Sequence, residues 1–427
     1  MPYYSPYFPY VILPVILAGL YFLFEDRLSK PWMRWAWWVG CVLLLLSVGW
    51  YAAAHNQYWY DFIKGYYHSG RKIVGKQDLL YDESCYGYVN FPLLAYLFVP
   101  LARLSKELAG TLFFLVGYVS ILPLAYWLVK FSNAKGWIRW AILFFLAISG
   151  PLDYGVWLGN ITQIIMLGML VSLWWFKQGR HWLAGVLLGV VGLIKIPLIL
   201  PAGYFFLRRQ WRVVLGGLLA FGIVLGLSLW LVPLSLNTTW FNRCILSFAG
   251  HPVPAYNNQS VSAFLARVLI PGNFSWKPQI PTQEFKLVST IALLVLYIPV
   301  LVILFLGRRS SQKSDMLLLE FFIVFVCSIL TSPISWTHYF VLLLMPAAFY
   351  FASDDLRSNK IWVNISLGIA LLLISIPINA TTALFKQTEQ SLFLSLHFIG
   401  CLILYVVLIV AWIDAYRSSS QQFSQSQ

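Results

Sequence analysis

The sequence predicts an all-α integral membrane protein, a multi-pass bundle of about 11–13 transmembrane helices whose outer loops carry short interfacial helices. Three observations predict it. Of 427 residues, 60% are hydrophobic and only 10% are charged, whereas a water-soluble globule carries about 25% charged residues. Apolar stretches near the length needed to cross a bilayer, about 20 residues at about 1.5 Å rise each, follow one another along nearly the whole chain. The Lys and Arg residues behind a formal charge of +14 stand in twos and threes in the short gaps between those stretches. That is the pattern of membrane topology rather than of nucleic-acid binding.

The start, MPYYSPYFPY, lacks the basic n-region of a secretory signal and runs into a longer apolar stretch, so the first segment is expected to stay. Spans are expected near 8–24, 34–54, 91–105, 108–130, 137–150, 155–176, 212–233, 286–306, 316–331, 337–352, 361–378 and 391–413. Basic clusters orient them: Arg27/Lys30/Arg34, Lys130/Lys135/Arg139, Lys177/Arg180, Arg208/Arg209/Arg212, Arg308/Arg309/Lys313, Arg357/Lys360 and Arg417 hold 17 of the 29 Lys and Arg. These are expected in the cytoplasm. Two places break the parity of this map. Residues 183–207 run between two cytoplasmic clusters and are too few for two full spans, so a pair of short helices should meet near Lys195, between Gly192 and Pro197. Residues 91–130, with Arg103 and Lys106 in the middle, must make an odd number of crossings.

A single transmembrane domain, 1–413, thus precedes a polar low-complexity tail, 414–427, expected to be disordered. The outer side carries two long loops, 55–90 and 234–285. In the first, Phe62, Ile63, Tyr66, Tyr67, Ile73 and Val74 recur at helical spacing, with Lys64, His68, Arg71 and Lys72 largely on the other face. This reads as a helix lying in the headgroup layer. The five cysteines show no metal-type spacing; Cys41, Cys327 and Cys401 lie in apolar helices, and Cys85 and Cys244, in the two long loops, are a candidate pair.

Several polar residues stand out by their setting or their place along the chain. Lys195 is alone in VLLGVVGLIKIPLILP, and a lysine within a membrane costs several kcal/mol unless paired or hydrated. It is either a snorkelling side chain or a fixed cation for a lipid-borne phosphate. His338, in TSPISWTHYF, follows Ser335, a candidate helix cap at the outer boundary. It serves either an anion at a helix N-terminus or the polar decoration of an aromatic belt. Asp61, just beyond the second span, is a candidate general base or a solvated carboxylate, as are Asp78, Asp82 and Glu83 further on. Asp153 reads as a turn or cap residue. In NNQSVSAFLAR, Asn258, Gln259 and Ser260 precede a short helix containing Arg267, a set suited either to hydroxyl-rich or phosphate-bearing ligands or to loop hydrogen bonding. Asn160 and Gln163 stand at the outer entrance of a helix in WLGNITQ.

Taken in order, these pieces resemble glycosyltransferase family 87, the polyprenyl-phosphate-mannose-dependent mannosyltransferases of the GT-C fold. The resemblance rests on Asp61 after the helix entering the first outer loop, LLYDESCYGYVNFPLLAYLFVPLARL, the Gly159-Asn160 pair, AGVLLGVVGLIKIPLILP, NNQSVSAFLAR and SPISWTHYF. The family usually carries Gln where Asn160 stands. The resemblance implies a GT-C-type catalytic domain acting at the extracytoplasmic face of a bacterial plasma membrane, without metal or other cofactor. It would move a hexose, mannose first of all, from polyprenyl phosphate to a glycolipid or lipid-linked glycan acceptor, with inversion. Asp61 would be the base, Lys195 and His338 would hold the departing phosphate, and Asn160, Gln163, Asn258, Gln259, Ser260 and Arg267 would bind donor or acceptor. Membrane lipids, donor and acceptor are then the partners, and nucleic acid is not. Two rivals share the topology: a transporter or flippase of lipid-linked sugars, and a polymerase or ligase of lipid-linked glycans. A transporter would be expected to show repeated halves and midplane ionisable residues, yet the one carboxylate well inside a span is Glu320, near a cytoplasmic end.

Overall fold

The computed structural model describes residues 5–81, 85, 87–195, 198–270, 272, 274–307 and 314–425. Side chains at 78, 199, 200 and 419–425 are excepted. Met1 to Tyr4, Asp82, Glu83, Pro197, Arg308, Arg309 and Lys313 lie outside these residues, as does the side chain of Asp78. Among the described residues the chain is helical throughout, with one isolated bridge between Asn258 and Trp336.

Helices α1 (Phe8–Phe24) and α2 (Pro31–His55) form an antiparallel pair. The chain then makes a π-helical turn, Phe62–Tyr67, and a short helix, α3 (His68–Gly75). A 3₁₀ segment, Pro92–Phe98, runs into α4 (Val99–Ala102). Next, α5 (Lys106–Val119) and α6 (Ile121–Ser132) make one 27-residue rod, opened by Ser105, whose hydroxyl accepts from Leu108 N at 3.3 Å. This corrects the expected span at 91–105. Pro92 and Pro100 each stand in the first turn of a helical piece, but the stretch 92–102 reaches only about 20 Å, too short to cross. Residues 91–130 therefore contribute one crossing.

Helices α7 (Gly136–Ala147) and α8 (Gly150–Leu158) are bent by 41° at their junction, where Ser149 caps α8 and Pro151 occupies its first turn. Then come α9 (Thr162–Lys177), α10 (His181–Ile194), α11 (Ile199–Leu207) and α12 (Trp211–Leu231). The second long loop holds α13 (Leu234–Trp240) and α14 (Val261–Leu269). The chain ends with α15 (Gln283–Leu306), α16 (Ser314–Thr331), a 3₁₀ turn Thr337–Leu343 leading into α17 (Leu344–Ala352), α18 (Ile361–Ser375), α19 (Ile378–Thr388) and α20 (Leu396–Gln425). α16 is the axis of the bundle: Leu317 to Leu330 are all buried, as expected of a helix apolar on every side.

Among the described residues six helices are long and apolar enough to cross a membrane, or eight if each bent pair is one span. Adding the shorter apolar helices Phe8–Phe24, Thr162–Lys177, His181–Ile194 and Thr337–Ala352 brings the number to 10–12, against the expected 11–13. The bundle has two chemically distinct ends. At the basic end, Lys177 pairs with Asp315 at 3.4 Å and Lys360 with Asp414 at 2.8 Å. Arg208 pairs with Glu320 at 2.6 Å, both side chains buried. The loop end gathers Asn56, Asp61, Asn160, the first long loop and the second. There the Tyr7 hydroxyl donates to Asn56 O, Trp240 Nε1 to Val89 O at 3.1 Å, and Tyr96 to Leu231 O at 3.2 Å.

The pair of short helices required by charge parity is α10 and α11. Both outer termini, Arg180 and Arg208, lie at the basic end, and Lys195 stands where α10 stops. Cys85 and Cys244 form a disulfide across 159 residues, tying the two long loops together, while Cys41, Cys327 and Cys401 are free and buried.

Three local expectations change. The apolar face of residues 62–74 packs on protein rather than on lipid: Phe62, Tyr66, Tyr67 and Ile73 are buried, and the Tyr67 hydroxyl donates to Leu104 O at 3.0 Å. Ser335 does not cap the next turn, which begins after an uncapped Trp336; its backbone instead pairs with Asn258 Oδ1 and Gln259 N. The tail read as disordered continues α20 as far as Gln425, since extending an existing helix needs no new nucleus; residues 426–427 lie outside the described part.

Candidate active site

Four separate segments converge at the loop end. Asp61 opens the π-helical turn Phe62–Tyr67 and is half-buried. Asn160 follows Gly159, which ends α8 at φ +69°. That left-handed residue is where glycine is required, on two grounds: its φ, and the space beside it, since a Cβ there would lie 2.8 Å from the Cβ of Phe62. The Gly159-Asn160 pair thus brings the Asn160 side chain against the residue preceding Phe62. Asn160 Nδ2 donates to Asp61 Oδ2 at 2.9 Å.

From the other side, Lys195 Nζ donates to Asn160 Oδ1 at 3.3 Å, and Thr162 Oγ1 donates to the same oxygen at 2.8 Å. Lys195 is 8% exposed, and its ammonium lies 4.3 Å from the ring centroid of Tyr339. The side chain turns into the bundle, so it does not snorkel. Among the described residues Asp61 and Lys195 form no direct ion pair. One amide stands between them, bonded to the carboxylate at one end and to the ammonium at the other.

His338, from the turn Thr337–Leu343, is 3% exposed, with its ring 4.8 Å from that of Tyr339 and 6.5 Å from that of Tyr154. A histidine so buried is not surface decoration. Neither of its ring nitrogens has a hydrogen-bond partner among the described residues, and a buried polar group left without a partner calls for an explanation such as a ligand. Burial pushes the Asp61 carboxyl above its ordinary pKa; the Asn160 hydrogen bond and the Lys195 charge act the other way.

The other predicted binding residues do something different. Asn258, Gln259, Ser260 and Arg267 are at most 1% exposed, and their polar atoms bond to protein, except for Arg267 Nε, which has no partner among the described residues. Asn258 Nδ2 donates to Val253 O and Pro333 O, and its Oδ1 accepts from Ser335 N at 2.9 Å. Gln259 Nε2 donates to Leu394 O at 2.8 Å. Ser260 caps α14 by accepting from Ala263 N at 3.1 Å. Arg267 donates to Ala255 O, Asn258 O and Ser395 Oγ at 2.9, 2.7 and 3.0 Å. The cluster fixes the second long loop, and through it the turn before His338, because Thr337 N donates to Asn257 O at 2.8 Å. Gln163 is buried against α5, where a Cβ on Gly117 would lie 2.8 Å from its Nε2. Asp153 accepts from the backbone and hydroxyl of Ser5 and so anchors the chain start.

Tyr339, Thr162, Tyr154 and Asn257 escape sequence reasoning. Tyr339 had a signal, its place beside His338; the others, ordinary in type, gain meaning only from packing.

Residues 88–333 match the family described as glycosyltransferase family 87. That stretch is more than half of the chain and contains Asn160 and Lys195, though not Asp61 or His338. Two similar proteins are named polyprenol-phosphate-mannose-dependent alpha-(1-2)-phosphatidylinositol pentamannoside mannosyltransferase. The one from Mycobacterium tuberculosis is 29% identical over 195 residues, 45% of this chain and 39% of its own length. The one from Mycolicibacterium smegmatis is 25% identical over 188 residues, 44% of this chain and 41% of its own. An alpha-(1->3)-arabinofuranosyltransferase of Corynebacterium glutamicum is 28% identical over 153 residues, 34% of this chain and 36% of its own. The match thus spans about two fifths of the length of these relatives. With a carboxylate and a cation joined at the loop end by an asparagine from the matched region, the chain belongs to glycosyltransferase family 87.

Proposed function

We propose that the protein is an inverting glycosyltransferase that needs no metal and moves a hexose, mannose first of all, from polyprenyl phosphate to a glycolipid or lipid-linked glycan acceptor. One observation carries this reading: Asp61 and Lys195 hold opposite ends of the Asn160 amide. Asp61 takes the proton of the acceptor hydroxyl as that oxygen attacks the anomeric carbon. The bond from that carbon to the phosphate oxygen breaks, and the electron pair leaves with the phosphate. Lys195 and His338 stabilise the departing anion, worth most where water is excluded. The relatives' mannosyl donors support mannose; the arabinofuranosyl relative favours, as second choice, a pentofuranosyl donor.

We place the reaction on the extracytoplasmic side of a plasma membrane. Supporting this are the concentration of basic clusters at the opposite end and the Cys85–Cys244 disulfide at the loop end, since disulfides persist in oxidising compartments. The transporter reading loses its best residue, because Glu320 is fully engaged by Arg208, Tyr204 and Trp412.

The test is incubation of purified protein with polyprenyl-phosphate mannose, or the arabinofuranosyl equivalent, and a panel of lipid acceptors, with and without EDTA. Release of polyprenyl phosphate coupled to glycosylated product, unaffected by the chelator and lost in Asp61→Asn, is expected. Movement of donor across a bilayer without transfer would overturn the reading.

A further inference from the structure

The loop end carries a charged surface that the proposed transfer chemistry does not use. Lys64, His68 and Lys72 recur every four residues along the turn Phe62–Tyr67 and α3 and so share a face, with Arg71 beside them. Arg103, from the link between α4 and α5, and Lys106, which opens α5, join this surface, because that link packs against the same elements: Tyr67 donates to Leu104 O at 3.0 Å, and a Cβ on Gly70 would lie 3.1 Å from Ala102 Cβ. Lys64, His68, Arg71, Arg103 and Lys106 are exposed and Lys72 is half-buried. The cluster is close enough that Lys106, Lys72, Arg71 and Lys64 all act on His68 and, after burial, add to lowering its pKa. None of the five lysines and arginines has an ion-pair partner among the described residues.

Topology does not account for these charges. Lys and Arg beside membrane spans orient a chain when they lie at the cytoplasmic ends, and here they sit at the opposite end from the clusters that do so. The exposed Val74, on the same helix, adds an apolar contact at the rim. A concentrated positive face at the rim of a membrane bundle is complementary to a leaflet bearing phosphate head groups.

We propose that this surface binds the phosphate head groups of anionic lipids in the leaflet at the loop end. Bound there, the lipid holds the turn Phe62–Tyr67, and with it Asp61 one turn before Lys64, at membrane depth. This concerns lipid contact alone, so its test does not use transfer activity. The purified full chain is reconstituted in phosphatidylcholine vesicles containing a trace of spin-labelled phosphatidylglycerol or phosphatidylcholine, and the motionally restricted fraction of each is measured. The wild type should retain phosphatidylglycerol preferentially, and added salt should weaken the preference. In the combined Lys64→Gln, Arg71→Gln, Lys72→Gln, Arg103→Gln and Lys106→Gln variant the preference should fall by about tenfold. Lys64→Arg with Lys72→Arg and Lys106→Arg should keep it. An unchanged preference in the Gln variant, loss in the Arg variant, or displacement by millimolar inorganic phosphate, which would mark a soluble-anion site, would overturn the proposal.

Discussion

Asp61 owes its character to neighbours rather than to its own position in the chain. Burial raises its pKa, while Asn160 and Lys195 oppose the rise. As the proposed base it must be ionised, so activity should fall as pH drops through a value above the ordinary carboxylate one of about 3.9. Asn160→Ala removes a hydrogen bond to the ionised form. The acid limb of kcat/KM against pH should then move upward, and a limb that stays put would detach Asn160 from the base. Removing the base itself, Asp61→Asn, should cost about 10²–10⁴-fold in turnover with unchanged expression and thermal unfolding. Lys195 rests on Tyr339 at 4.3 Å, a contact worth about 1–2 kcal/mol when desolvated. Tyr339→Leu should therefore raise the KM for donor by about tenfold, with Tyr339→Phe near wild type because the ring is kept. Equal behaviour of the two variants would remove the ring from the account.

At the scale of elements, the second long loop is held by a buried guanidinium without a carboxylate partner among the described residues. Its fork spans Ala255, Asn258 and Ser395, three points on two separate segments. Arg267→Met leaves those acceptors unpaired, so about 1–3 kcal/mol of stability should be lost, read as a lower thermal midpoint. Arg267→Lys should not restore it, because an ammonium lacks the planar fork. Through Asn257 and Thr337 the same change should disturb His338. Helices α10 and α12 show the other device, close approach through small residues: a Cβ on Gly185 would collide with the carbonyl of Val213, and one on Gly216 would lie 2.5 Å from Trp182 O. That contact holds the first turns of α10 against α12.

Across the whole molecule, the disulfide between Cys85 and Cys244 joins the loop bearing Asp61 to the loop that supports His338. The double change Cys85→Ser with Cys244→Ser should lower stability by about 2–4 kcal/mol, measured as the shift in unfolding midpoint against the oxidised protein. The proposed sidedness has its own check. A cysteine introduced at exposed Val74 should react in intact cells with a membrane-impermeant maleimide, and one at exposed Trp137, near the basic end, should not. The reverse pattern would invert the orientation.

Composition and apolar run length by themselves determined the class, because burial in a bilayer imposes a requirement on every residue of a span. Charge parity likewise required the short helices meeting at Lys195, since each crossing changes sides and 183–207 could not do so twice. Lys195 stood out as a polar group in an apolar run, and Asp61 and His338 by their places at the outer ends of apolar segments. Only the tertiary structure decided what each anomaly faces. Asn160 looked like one helix-entry amide among several until folding set it between Asp61 and Lys195, while Asn258, Gln259 and Arg267 looked equally suited to a ligand and closed on the protein instead. The reason is that hydrogen-bond partners lie tens to hundreds of residues away, as with Asn160 and Asp61, and sequence spacing carries no distance between segments that meet only through packing.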